Sequence, residues 1–239
     1  LLELLGNTYF KGGFLQRSND IFLRILKFSP RNKNALKSLL LVNEKLKNFK
    51  KSKEIAQALE ELNIDVSVEK VYFDTLIILN DPILSYEKRT ELLFEIFKEN
   101  KIIQRIFATF LIQSNREFFF SNIDMFDCEK LIDILWYQKK EDIDFDKIKN
   151  NQFLNELYSA KNYINSVSNS SDFDLNILIL INKYQKDIKT NLTFEFICNS
   201  CKHSSPFYEA RCPNCHSILS LEVKHHLTKA YELSNQSLQ

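Results

Sequence analysis

Two Cys-x-x-Cys pairs, Cys198-Asn199-Ser200-Cys201 and Cys212-Pro213-Asn214-Cys215, are separated by the ten residues Lys202–Arg211. Each pair makes a tight turn whose two thiolates can grip one metal ion. Two such turns on facing hairpins supply the four sulfurs of a closed tetrahedral shell. A closed shell leaves no position for water, so the ion it implies is structural and not a hydrolytic catalyst. Zn2+ is the expected metal, and iron fits the same four-sulfur cage. Two reactive dithiols or a disulfide framework are the competing reading. Thioredoxin-like chemistry needs one Cys-x-x-Cys at a helix N-terminus beside a parallel sheet, and no such context flanks these pairs.

Other polar groups near the pairs carry less. His203, His216, His225 and His226 cluster around the cysteines. Four sulfurs already complete a tetrahedron, so these histidines are expected at the surface or behind the ligands, with His225 and His226 in a polar tail. Phe207 and Tyr208 lie between the pairs. In an isolated ribbon they would be exposed apolar surface, which signals a contact. One reading docks them on the helical part; another gives them to a partner or a nucleobase. The run Lys45, Lys47, Lys50, Lys51 and Lys53 reads as a solvated helix face, usable near anionic lipid headgroups. Glu141, Asp142, Asp144 and Asp146 read as a polar loop. The chain has no Gly-rich phosphate loop, no nucleophile elbow and no His-Glu helix motif, so the expectation is a non-enzyme.

The elements that must carry the cysteines are mostly helical. Of 239 residues only 3 are Gly and 4 Pro, against 20 Phe, a balance that favours helices over a many-turned β fold. The formal net charge of +1 lacks the basic footprint of a duplex-binding protein. The fifth cysteine, Cys128, sits in an apolar stretch and reads as a small buried residue. Paired knuckles without a disulfide framework fit a reducing compartment such as the cytoplasm. No run of eighteen apolar residues occurs. The chain opens on Leu1 inside a helical pattern, and the expectation is that an N-terminal anchor or further repeats precede it.

Along the chain, Leu4, Leu5, Gly6, Tyr9, Gly13, Leu15, Phe22, Ile25 and Pro30 fall at the spacings of a tetratricopeptide unit of about 34 residues. Leu40, Asn43, Phe49, Ser52, Ala56 and Leu59 repeat the places of Gly6, Tyr9, Leu15, Ser18, Phe22 and Ile25. Gly6 is the small site where two helices cross, Gly12-Gly13 the turn, Pro30 the end of the second helix. Beyond Leu62 the signature fades while helical periodicity persists. Helices are predicted over Val68–Leu79, Tyr86–Glu99 with Ser85 as cap, Ile102–Ile112, Arg116–Phe120, Cys128–Gln138, Asn151–Ile164 and Leu175–Lys186. Ser166–Asp174 reads as the one linker. Leu192–Ile197 and Ile218–Val223 read as strands, and His225–Leu238 as a polar tail with helical character.

Helical repeats followed by Cys-x-x-Cys, ten residues and Cys-Pro-x-Cys resemble the lipopolysaccharide assembly protein B family. The residues carrying the likeness are Phe196-Ile197-Cys198-Asn199-Ser200-Cys201-Lys202, Tyr208 and Arg211-Cys212-Pro213-Asn214-Cys215, together with the first sixty residues. The middle, about 66–165, keeps no repeat signature. Lys202 stands where the family has a glycine. The resemblance implies a TPR-like α-solenoid of helical hairpins over 1–190, a rubredoxin-like four-cysteine zinc ribbon over 191–224 and a tail over 225–239.

It further implies an adaptor anchored at the bacterial inner membrane and facing the cytoplasm. Such a protein regulates lipopolysaccharide synthesis by helping the FtsH protease degrade the deacetylase that commits precursor to lipid A. The expected metal ligands are Cys198, Cys201, Cys212 and Cys215. Expected partners are proteins, FtsH and the deacetylase among them, with no small-molecule substrate and no nucleic acid. A rubredoxin-type electron carrier and a nucleic-acid-binding ribbon remain the alternatives.

Overall fold

The computed structural model describes residues 1–185 and 190–229. It is mainly helical, with eleven α-helices among the described residues and a small three-stranded antiparallel sheet that carries the cysteines. The chain divides into two compact units, Leu1–Ile103 and Gln104–Gln239.

The first unit holds α1 (Leu2–Lys11), α2 (Leu15–Phe28), α3 (Lys33–Lys45), α4 (Phe49–Glu60), α5 (Ser67–Asn80) and α6 (Tyr86–Glu99). Each helix packs against the next in sequence. Gly6 lets α1 and α2 touch: a Cβ there would sit 2.7 Å from Phe22 Cζ, well inside van der Waals contact. Ser18 Oγ seals the same crossing by donating to the Gly6 carbonyl at 2.8 Å. The turn between the helices needs Gly13, whose φ is +76°, a region glycine enters without Cβ strain. The Asn32 side chain caps α3 at Ala35 N and also donates to Glu3 Oε1 at 2.9 Å. That ties the start of α3 back to α1. Ser18 and Ser52, Phe22 and Ala56, Ile25 and Leu59, each pair thirty-four positions apart, are all buried. Ser85 caps α6 as its sequence predicts.

The second unit begins with α7 (Gln104–Ser114) and α8 (Arg116–Ser121), followed by the short α9 (Ile132–Trp136), α10 (Gln152–Ala160) and α11 (Phe173–Tyr184). The predicted helix over Cys128–Gln138 is broken: a 3-10 turn at Glu129–Leu131 feeds α9. Leu131, Ile132, Leu135 and Trp136 are all buried, and consecutive buried residues such as Leu131 and Ile132 do not lie on one helical stripe. The predicted linker ends early, because Asp172 caps α11 by accepting from Leu175 N. Lys186, the expected end of that helix, lies outside the described residues.

The sheet has the order β2-β1-β3, with β1 (Thr190–Cys198), β2 (Ser204–Ser205) and β3 (Leu221–Lys229). β1 and β3 pair antiparallel from Thr190↔Lys229 to Cys198↔Leu221. The tail expected to turn helical at His225 is strand through Lys229; residues 230–239 lie outside the described residues. Alternation explains the strand. Leu221, Val223, His225 and Leu227 share one face of β3, and Leu192, Phe194, Phe196 and Cys198 share one face of β1. His225 therefore points to the packed side, where its Nε2 lies 3.0 Å from Asp172 and 3.9 Å from Asp174 at the start of α11. His226 points the other way, to Glu195 at 3.0 Å.

Candidate metal centre

The two knuckles repeat one backbone design. The N–H of Lys202 donates to the Cys198 carbonyl at 2.8 Å, and that of His216 to the Cys212 carbonyl at 3.0 Å. One residue on, the His203 carbonyl accepts from Cys198 N and the Ser217 carbonyl from Cys212 N, both at 2.9 Å. Lys202 and His216 hold equivalent places and both take left-handed backbone, φ 61° and 63°. A turn that folds back on its own first cysteine requires this conformation, which glycine enters most cheaply.

β1 delivers Cys198 to the centre at its last residue, and the second knuckle is closed by the bridge between Arg211 and Ile218. The four sulfurs all lie within 4.8 Å of one another. Cys198 Sγ stands 3.6 Å from Cys215 Sγ, and Cys201 Sγ 3.7 Å from Cys212 Sγ. Ligands about 2.3 Å from a tetrahedral zinc stand about 3.8 Å apart, so the cluster fits such an ion. All four cysteines are free thiols rather than disulfides. The sequence-predicted quartet is thus brought together, and the sulfur cluster includes no histidine. Four cysteines at these distances can bind a metal ion such as zinc.

Hydrogen-bond donors aim at the sulfurs. Burial pushes the Cys198 thiol up, but the Ser220 hydroxyl at 3.3 Å and the backbone N–H groups of Cys201 and Ser200 outweigh it and hold the thiol at about 6. Ser217, 3.2 Å away, together with its backbone N–H, lowers Cys215. Cys212 goes the other way, to about 11, because burial and the neighbouring thiols Cys198 and Cys215 exceed the backbone bonds from Cys215 and Asn214. A metal relieves this crowding by replacing shared protons with one cation. Asn214 Nδ2 adds a donor to Cys201 Sγ at 3.5 Å. Cys128 differs in kind: burial, then Asp127 and Asp124, push its thiol up to about 12, which marks it as inert.

The ribbon sits on helices of its own unit. Phe196, Cys198, Cys212 and Leu221 form a buried cluster with Tyr208 and Val223 packed against it. Tyr208 meets Phe196 edge to face at 5.7 Å. Arg105 of α7 lies over both rings and pairs through its two terminal nitrogens with Asp133 of α9. Trp136 Nε1 donates to Asn191 Oδ1 at 2.9 Å, tying α9 to the far end of β1. Phe207 and Tyr208, treated together in the sequence, separate here: Tyr208 docks and Phe207 is exposed. Ser217, Ser220 and Asn214 had a local signal in their closeness to the cysteines. Arg105 and Asp133 had none, since nothing in the spacing links them to the ribbon.

No protein-family model matches the chain, and no curated protein matches it either.

Proposed function

We propose that the protein is a non-enzymatic adaptor in which stacked helical hairpins recognise a protein partner and a zinc-bound ribbon forms a rigid second surface. The observation that carries this reading is the closed four-sulfur cluster. Four sulfurs within 4.8 Å of one another make a complete ligand set, so the ion they hold would stabilise the ribbon rather than act on a substrate. Cys198, Cys201, Cys212 and Cys215 would be its ligands. Zinc is the reading for the ion. Buried equivalents thirty-four positions apart and serial helix packing support the finer reading of the first unit as a TPR-like solenoid.

The resemblance to the lipopolysaccharide assembly protein B family supplies the biological setting. In that setting the adaptor acts at the cytoplasmic face of the bacterial inner membrane and presents the lipid A pathway deacetylase to FtsH. No described helix is long and apolar enough to cross a membrane, so an anchor would be supplied by sequence outside these residues.

The test is co-isolation of the full-length protein from its native membrane, wild type against Cys212→Ser. Recovery of FtsH or the deacetylase with the wild type, lost in the metal-free variant, is the expected result. Unchanged recovery in a metal-free variant would overturn the mechanism. A red, reversibly reducible iron form would instead favour electron transfer.

A further inference from the structure

We propose that the recess between α4 and α5 docks an acidic peptide segment of a partner protein, held by one bulky apolar anchor. The recess has a volume of about 630 Å³ and lies wholly within the first unit. One wall is the turn after α3 and the start of α4, with Lys47, Lys50 and Lys51; Phe49 and, from α5, Ile77 line the recess with half-buried apolar surface. The opposite rim is the turn after α5, where Ile83 is 89% exposed.

Charge sets this place apart from nearby lysines that are paired. Lys53 is paired with Asp74 at 2.5 Å and Lys70 with Glu60 at 2.9 Å. Among the described residues no carboxylate lies within ion-pair distance of Lys47, Lys50 or Lys51, all three of them exposed. The one acid lining the recess is already engaged: Asp81 Oδ1 accepts from Ile83 N at 2.9 Å. The rim is also fixed, because the Asp81 carbonyl accepts from the Arg89 guanidinium at 2.5 Å. A fixed concave site with unpaired cations beside open apolar surface suits a chain of opposite charge carrying one hydrophobic side chain. A headgroup layer would match the lysines alone, whereas an acidic peptide with one apolar side chain matches both the cations and the apolar lining.

This deepens the adaptor reading and rests on it, but it needs only the first unit. The experiment uses the full metal-bound chain and a short fluorescent peptide of Asp and Glu around a single central Phe. Saturable binding is expected, weakening with salt. Lys50→Glu with Lys51→Glu, or Ile83→Ser, should each weaken it roughly tenfold or more, as should Ser in place of the peptide Phe. These positions are exposed, and unchanged helical circular dichroism checks the fold. Stripping the metal should leave the affinity unaltered. No binding, equal binding by the charge-reversed chain, or equal binding of the Phe-less peptide overturns the proposal. So does attachment to phosphatidylserine vesicles in place of the peptide. If the peptide fails while FtsH or the deacetylase still co-isolates, the recess falls and the adaptor reading stands; if both fail, both fall.

Discussion

The Arg105 guanidinium carbon lies 4.0 Å from the centroid of the Tyr208 ring. Arg105 is thus both the cation above an aromatic face and the partner of Asp133, and each member holds the next in place. Burial, partly offset by Arg105 and reinforced by Asp133, pushes the Tyr208 phenol up to about 12, so the ring stays neutral at any physiological pH. Arg105→Ala would leave Asp133, only 11% exposed at its side chain, without its cation. The expected cost is about 3 kcal/mol, read by urea denaturation of the metal-bound chain. Tyr208→Phe keeps the face and should cost under about 1 kcal/mol. Equal losses in the two variants would refute the clamp.

Lys202 and His216 occupy left-handed backbone without being glycine. That conformation costs an L-residue roughly 1–2 kcal/mol, partly offset by the extra freedom glycine has when unfolded. Lys202→Gly should therefore raise the stability of the metal-bound ribbon by up to about 1 kcal/mol, and Lys202→Val should lower it. Competition with a zinc chelator, followed by a colorimetric indicator, reads both. A weaker hold on the ion in Lys202→Gly would contradict the conformational account.

Thiol ionisation gives the metal-free ribbon a pH dependence of definite sign. Cys198 is depressed to about 6 from an ordinary 9.0. Its contribution to stability is complete above 9.0 and is lost as pH falls through about 6. Cys212 is raised to about 11, so its contribution is complete below 9.0 and is lost as pH rises through about 11. The metal-free ribbon should thus gain stability from pH 6 towards 9 and lose it beyond. Thiolate absorbance should show a low-pH step belonging to the interacting cysteines, which Cys198→Ser shifts or removes. Persistence of that step unchanged in the variant would assign it elsewhere.

At the first helix crossing, Gly6→Ala would drive a methyl group to 2.7 Å from the Phe22 ring. Overpacking of this kind costs about 1–3 kcal/mol. Combining it with Phe22→Leu, which vacates the ring position, should recover part of the loss. A double variant no better than the sum of the singles, measured by thermal melting, would place the strain somewhere else.

What the sequence disclosed was local. Cys198, Cys201, Cys212 and Cys215 were legible because ligand spacing is a property of a few consecutive residues. α6 was legible from Ser85 and an apolar period. β3 was misread because His225-His226 looks polar, although His225 keeps the alternation of Leu221 and Val223 and finds Asp172 on the buried side. The break at Leu131 was hidden because a short apolar run reads alike as helix or turn. The Arg105–Asp133–Tyr208 arrangement joins residues remote in the chain, and no periodicity announces such a meeting.

β1 and β3 stay in register over nine successive pairs, with Cys198↔Leu221 at one extreme and Thr190↔Lys229 at the other. Asn191, next to that second extreme, is gripped by Trp136. Oxidative injury to the thiols would therefore release the hairpin from its Cys198 end, like a zip undone from one side. The portion beside Asn191 would let go last, and amide exchange along the two strands would record the order of release.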